Sequence, residues 1–172
     1  MAMNSGKIFE LAIKKSIESV PDCYYYRLRD PASSFGDTEG NGLRFSITND
    51  YDCFFFTNGI FYPLELKSSK STAFSFQTEK GQSGKNIKIS QINGLLKASQ
   101  TTGVKAGFMF NFAEIEKTYW LNIVDFYKFY KSTTKKSINE NDIIEHGGVL
   151  IEQKLKKVNY SYDIAKLIHQ IT

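Results

Sequence analysis

The dipeptide Asn58-Gly59 constrains this chain most, because it separates two runs rich in β-branched and aromatic residues, Tyr51–Phe56 and Ile60–Lys67. Asn-Gly between such runs is the strongest short-range signal for a two-residue hairpin turn. That turn sets Thr57 opposite Ile60, and the same register carries Asp52 opposite Glu65 and Asp50 opposite Lys67. Side chains alternate along a strand, so one face gathers Asp50, Asp52, Glu65 and Lys67. The other face carries Ile60, Tyr62, Leu64 and Leu66 and is expected to form core. Pro63 cannot donate a ladder hydrogen bond, so an edge position or a local bulge is expected there.

Directly opposed carboxylates repel unless one takes a proton or a cation lies between them. Magnesium resolves the conflict, since it takes oxygen ligands, keeps several waters and is commonly held by one or two carboxylates with a substrate phosphate. A lysine two residues beyond the second acid can hold and polarise the attacking water. Glu-x-Lys alone carries little information. Its force comes from Asp52, the turn and the apolar alternation in one hairpin.

Around the hairpin, Ile8, Phe9, Ala12, Ile13, Ile17 and Val20 follow helical spacing and predict a helix over 5–19, ending before Pro21. Residues 30–42 read as a loop. Residues 68–89 are polar, basic and glycine-containing, and read as an extended arm in which Phe74 and Phe76 alternate. A helix capped by Ser90 and weakened by Gly94 is expected over 90–101. Strands follow at 106–112 and 118–124, then a short helix at 126–131, a helical turn at 142–145 capped by Asn139, and a last helix opened by Ser161. Tyr24-Tyr25-Tyr26 reads as a buried strand. With 172 residues and no internal repeat or long linker, the chain is expected to be a single α/β domain over 1–172 with a mixed sheet.

Hydrophobic residues make up 41% of the chain and charged residues 23%, which excludes collagen-like and wholly disordered classes. No run approaches the roughly 20 apolar residues of a membrane helix, and the start has no signal-peptide core, so a cytoplasmic protein is expected. Cys23 and Cys53 are expected to be reduced and buried, and with His146 and His169 they are too few and too scattered for a zinc cage. The net charge of +4 is modest, but Leu66–Phe112 holds seven lysines against the single acid Glu79. Such a stretch suits a phosphate backbone as well as it suits a solvated face.

Asp52 followed by Glu65-Leu66-Lys67 in a hairpin resembles the PD-(D/E)xK nuclease superfamily. RecU-type Holliday junction resolvases, including phage versions, are the most similar branch. The likeness extends to the helix with Glu10, the basic arm, the helix opening Ser90-Gln91, the AGFMFNF strand and the TYWLNIVDFYKF and YSYDIAKLI segments. It implies a restriction-endonuclease-like mixed sheet flanked by helices, with a stalk-like insertion at about 68–89 that enters the junction. It further implies a homodimer dependent on Mg2+, or Mn2+, that nicks four-way DNA symmetrically. Asp52 and Glu65 would hold the metal with the Leu66 carbonyl and Glu10. Lys67 would position the water, and Gln91 would reach a phosphate or the water. Lys70, Lys80, Lys85 and Lys88 would contact DNA, and Phe74 and Phe76 would stack on unpaired bases. The sequence around Asp52 departs from the family pattern and keeps Asp50 as a second choice of ligand. The segment before Gln91 lacks the histidine of bacterial members. A general or sequence-specific nuclease of the same superfamily and a DNA-binding protein without catalysis are the alternatives.

Overall fold

The computed structural model describes residues 5–28 and 49–172. The loop expected over 30–42 lies outside them. The elements are α1 (Ser5–Glu18), β1 (Tyr24–Arg27), β2 (Cys53–Thr57), β3 (Ile60–Ser69), β4 (Ala73–Ser75), α2 (Ile89–Ser99), β5 (Gly107–Phe112), β6 (Lys117–Asn122), α3 (Ile123–Ser132), β7 (Ser137–Asn139), α4 (Glu140–Glu145), β8 (Val149–Ile151), β9 (Gln153–Lys156), β10 (Asn159–Tyr162) and α5 (Ile164–Ile171).

Six strands form one mixed sheet in the order β1-β2-β3-β5-β6-β8. The β3–β5 pair is parallel and the others are antiparallel. A parallel pair requires a crossover, and the connection carrying α2 supplies it. Helices cover both faces, giving the restriction-endonuclease-like mixed α/β architecture expected from the sequence. On one face α1 and α5 pack over Cys53, Phe55, Tyr62, Leu64, Leu66 and Met109. On the other, residues of α2, α3, β4 and β7 pack over Phe108, Phe110, Phe112, Tyr119 and Leu121.

The hairpin register is the one the Asn-Gly turn dictates, with Thr57 opposite Ile60 and Cys53 opposite Leu64. Asn58 and Gly59 both have positive φ, 51° and 74°, as a tight turn of this hand requires. Pro63 lies neither on an edge strand nor at a break in the hairpin, since it pairs with Phe54. Its missing donor instead falls on the β5 side, between the isolated Phe61–Val104 bridge and the ladder that starts at Leu64–Gly107.

Residues 68–89 end β3, form β4 and return to α2. Phe74 and Phe76 are each 1% exposed. Phe74 packs on Phe110 and Phe112, and Phe76 on Phe126, Phe129 and Tyr130. Pairing of β4 with β7 and the Phe76–Ile87 bridge fasten this part of the expected arm to the core. The assignment of Phe74 and Phe76 to base stacking is thereby corrected: alternating phenylalanines in a polar stretch are the buried face of a short strand.

Two further expectations change. Tyr24 and Tyr26 are 59% and 43% exposed, because β1 is the last strand of the sheet and only Tyr25 turns to the core. Ser161 lies in β10, and the last helix is opened by Asp163, whose carboxylate accepts from the Lys166 N–H at 2.9 Å. Cys53 is buried, Cys23 is half-buried, and both are free thiols. No helix among the described residues is long and apolar enough to cross a membrane.

Candidate active site

Asp52 stands where β2 begins, and its backbone is tied on both sides. Its N–H donates to the Leu64 carbonyl at 3.1 Å, and its carbonyl accepts from Leu28 N–H at 2.9 Å. Leu64 is the partner of Cys53 in the ladder, so Asp52 and Cys53 together oppose one residue of β3. This two-against-one arrangement is a β-bulge, a device that re-aims a side chain at a strand end. Here it turns the Asp52 carboxylate along β3, where Oδ2 accepts from the Leu66 N–H at 2.8 Å. In a strand a residue's N–H and C=O face the same neighbour, so the Leu66 carbonyl is directed to the Asp52 side.

Glu65 is 2% exposed. Its Oε1 accepts from Lys67 Nζ at 2.8 Å and from the Gln91 side-chain amide, and Asp52 lies within hydrogen-bonding reach of the same carboxyl. Burial pushes the Glu65 carboxyl up to about 7, Lys67 opposes that rise, and Asp52 adds to it. The bulge thus brings the Asp52 carboxylate beside that of Glu65 at the open end of the hairpin, where burial and the neighbouring charge both favour the protonated form of Glu65. Lys67, at 15% side-chain exposure, reaches solvent while its ammonium sits on Glu65.

Gln91 joins the site to α2. Its Oε1 accepts from the Lys88 N–H at 2.9 Å, closing the helix N-terminus, while its amide nitrogen donates to Glu65. The cap expected from Ser90 is instead made by the next residue, Gln91, at the third helical position, with Lys88 at the N-cap position. Gly94, read from sequence as a weakness of this helix, has a steric role. A Cβ there would lie 2.5 Å from Asp50 Cβ and 2.7 Å from the Asp50 carbonyl oxygen, which is closer than real Cβ atoms approach. Asp50 is therefore a backbone spacer against α2, exposed and outside the strand, and not a partner of Lys67. Gly94→Ala is expected to displace the 50–52 segment and weaken divalent-ion binding about tenfold, since 1.4 kcal/mol of misplacement suffices for that factor. Manganese titration calorimetry checks this, with a thermal melt to show that the fold persists.

Glu10 does not join the pair. Its Oε2 is 2.9 Å from Arg27 Nη2, an ion pair between α1 and β1, and no group of three or more potential metal-ligating side chains exists among the described residues. Glu10, expected beside the two acids, is instead drawn to β1, which carries an arginine within reach. Lys70, Lys80 and Lys88 are exposed and Lys85 is half-buried, and none forms an ion pair among the described residues. His146 Nδ1 lies 2.8 Å from the Asp142 carbonyl oxygen, a helix-end contact.

The donor set suits a hard divalent cation. Two carboxylates and a backbone carbonyl offer oxygen only, in the number that magnesium takes from protein while keeping its waters. No family model matches the sequence. The chain is 36% identical over 182 residues to the SPbeta prophage-derived protein YotM of Bacillus subtilis (strain 168), covering 99% of this chain and 88% of that one. The chain belongs to the YotM family. Among solved structures it is similar to Hjc, a Holliday junction resolvase of the archaeal hyperthermophile Archaeoglobus fulgidus, with TM-score 0.53. That likeness spans 84% of this chain and 94% of Hjc at 12% identity, and it establishes a shared fold.

Proposed function

We propose that this YotM-family protein is a magnesium-dependent endonuclease that resolves four-way DNA junctions. The observation that carries the reading is the facing of Asp52 and Glu65 across one hairpin with Lys67 seated on Glu65. Similarity to the Hjc fold and to a prophage-derived relative supports it.

In this reading Asp52, Glu65 and the Leu66 carbonyl hold Mg2+, with Mn2+ as a substitute. The ion, when bound, polarises the scissile phosphate and neutralises charge developing on it. The chain does the rest. Lys67 Nζ orients a water for in-line attack and offsets negative charge in the transition state. Gln91 keeps the Glu65 carboxyl turned toward Asp52, and the bulge at Asp52 fixes the opposite oxygen. Lys70, Lys80, Lys85 and Lys88, on the approach to α2, meet the phosphate backbone without reading sequence. Symmetric nicking of two strands requires two such sites, so the active form is a homodimer, as in the RecU-type resolvases that the hairpin resembles.

The test is cleavage of a labelled four-way junction and of its linear duplex arms with Mg2+. Paired nicks in the junction and intact duplex are expected, with a dimer by light scattering. Equal cutting of both substrates would establish a general nuclease instead. Salt-sensitive binding with no product would leave a DNA-binding protein without catalysis.

A further inference from the structure

The helical layer over the Glu65 face stops at β3. Packing from α2 and α3 covers β5 and β6, whereas the β1–β2 end of the same face has no helix over it among the described residues. Register places two aromatic rows there. Tyr24 pairs with Phe56 and Phe56 with Phe61; Tyr26 pairs with Phe54, which pairs with Pro63. Glu65 follows Phe61 and Pro63 on this face by strand alternation, and the bulge brings the Asp52 carboxylate beside it. Tyr24, Tyr26 and Phe56 are 59%, 43% and 46% exposed. The rings touch one another, with centroids 5.6 Å apart for Tyr26–Phe54 and 4.6 Å for Phe54–Phe61.

We propose that this open aromatic end of the sheet is a stacking platform for unpaired nucleobases of the DNA strand whose phosphate lies at Asp52 and Glu65. The proposal rests on the nuclease reading and adds a second contact to it. Three observations favour DNA bases over a second copy of the chain. The rows carry no charged side chain until the acids are reached, which suits the flat face of a base beside its phosphate. Two residues along a strand span about 6.6 Å, the rise of two stacked bases at about 3.4 Å each. Three exposed rings fall well short of the roughly 800 Å² per partner of a standard protein interface. Phe74 and Phe76, buried against β5 and α3 on this same face, cannot serve this role.

The test uses the full chain without divalent ions. A single-stranded oligonucleotide containing 2-aminopurine reports stacking by loss of fluorescence, and anisotropy reports affinity for single strand and duplex. Wild type is expected to quench the probe and bind single strand. Tyr24→Ala with Tyr26→Ala should relieve the quenching and weaken single-strand binding about tenfold or more, consistent with base–aromatic stacking. Duplex affinity and its salt dependence should stay unchanged. Tyr24→Phe with Tyr26→Phe should retain the wild-type signal, and circular dichroism confirms folding of each variant. Equal quenching by the alanine variant overturns the platform. So does a wild-type dimer that dissociates in the alanine variant, since the face would then join two copies. Quenching without cleavage of any DNA in Mg2+ would keep the platform and remove the nuclease reading, and cleavage without quenching would do the reverse.

Discussion

Asp52→Asn and Glu65→Gln are each expected to reduce magnesium-dependent cleavage of a four-way junction by at least about a thousandfold, at the upper end of what one electrostatic group contributes to a transition state. The basis is shared charge. Each substitution removes one of the two anions that would draw a divalent ion into the hairpin, while preserving shape and hydrogen bonds. An asparagine at 52 can still accept from the Leu66 N–H, and a glutamine at 65 can still accept from Lys67 and Gln91. Folding should therefore survive, and affinity for junction DNA without metal should change little. Single-turnover cleavage alongside a binding titration separates the two effects. Unchanged rates in both variants would remove the assigned site.

The second large effect concerns stability in the absence of divalent ions. Glu65 is held at about 7 in the folded protein against an ordinary 4.5, chiefly by burial. A carboxyl whose folded value is raised binds its proton more tightly when folded. Its contribution is therefore complete below pH 4.5 and is lost as pH rises through 7. At 1.36 kcal/mol for each unit, the loss between those limits is on the order of 3 kcal/mol. Thermal melts of the chelator-treated protein should accordingly fall between pH 5 and pH 8, several degrees for a chain of this size. Glu65→Gln should flatten that fall and melt above wild type at pH 8. Magnesium should raise the wild-type melt at pH 8 and leave the Glu65→Gln melt nearly unmoved. Parallel profiles for the two proteins would show that Glu65 does not carry the proton.

The centre of the fold was legible because local signals and tertiary demands agree there. Asn58-Gly59 fixes a register, and alternation from Ile60 to Leu66 fixes which face is buried. Those two facts place Glu65 and Lys67 on one face, but the predicted pairing of Asp52 with Glu65 gives way to the bulge, in which Asp52 shares Leu64 with Cys53. The bulge was not legible, since a two-against-one pairing leaves no mark in residue types. Nor was Gly94, whose need for space depends on a segment far away in sequence. The misreadings share one cause. Phe74 and Phe76 sit in a polar, lysine-bearing stretch, and Tyr24–Tyr26 form an unbroken aromatic run, so local composition assigned the first pair to the surface and the second group to the interior. Tertiary context reversed both. β4 finds a partner in β7, more than 60 residues away, whereas β1 is left at the end of the sheet. The ion pair of Glu10 with Arg27 was equally invisible, because it depends on β1 lying beside α1.

The central claim is that Asp52 and Glu65 share one divalent ion, and electron paramagnetic resonance of Mn2+ tests it most directly. Titrating the protein into dilute Mn2+ at pH 8 should remove the free-ion signal with one ion taken up per chain. Asp52→Asn and Glu65→Gln should each leave most of that signal in place. Uptake by both variants equal to that of wild type would contradict the account, because the ion would then be held elsewhere or by neither acid.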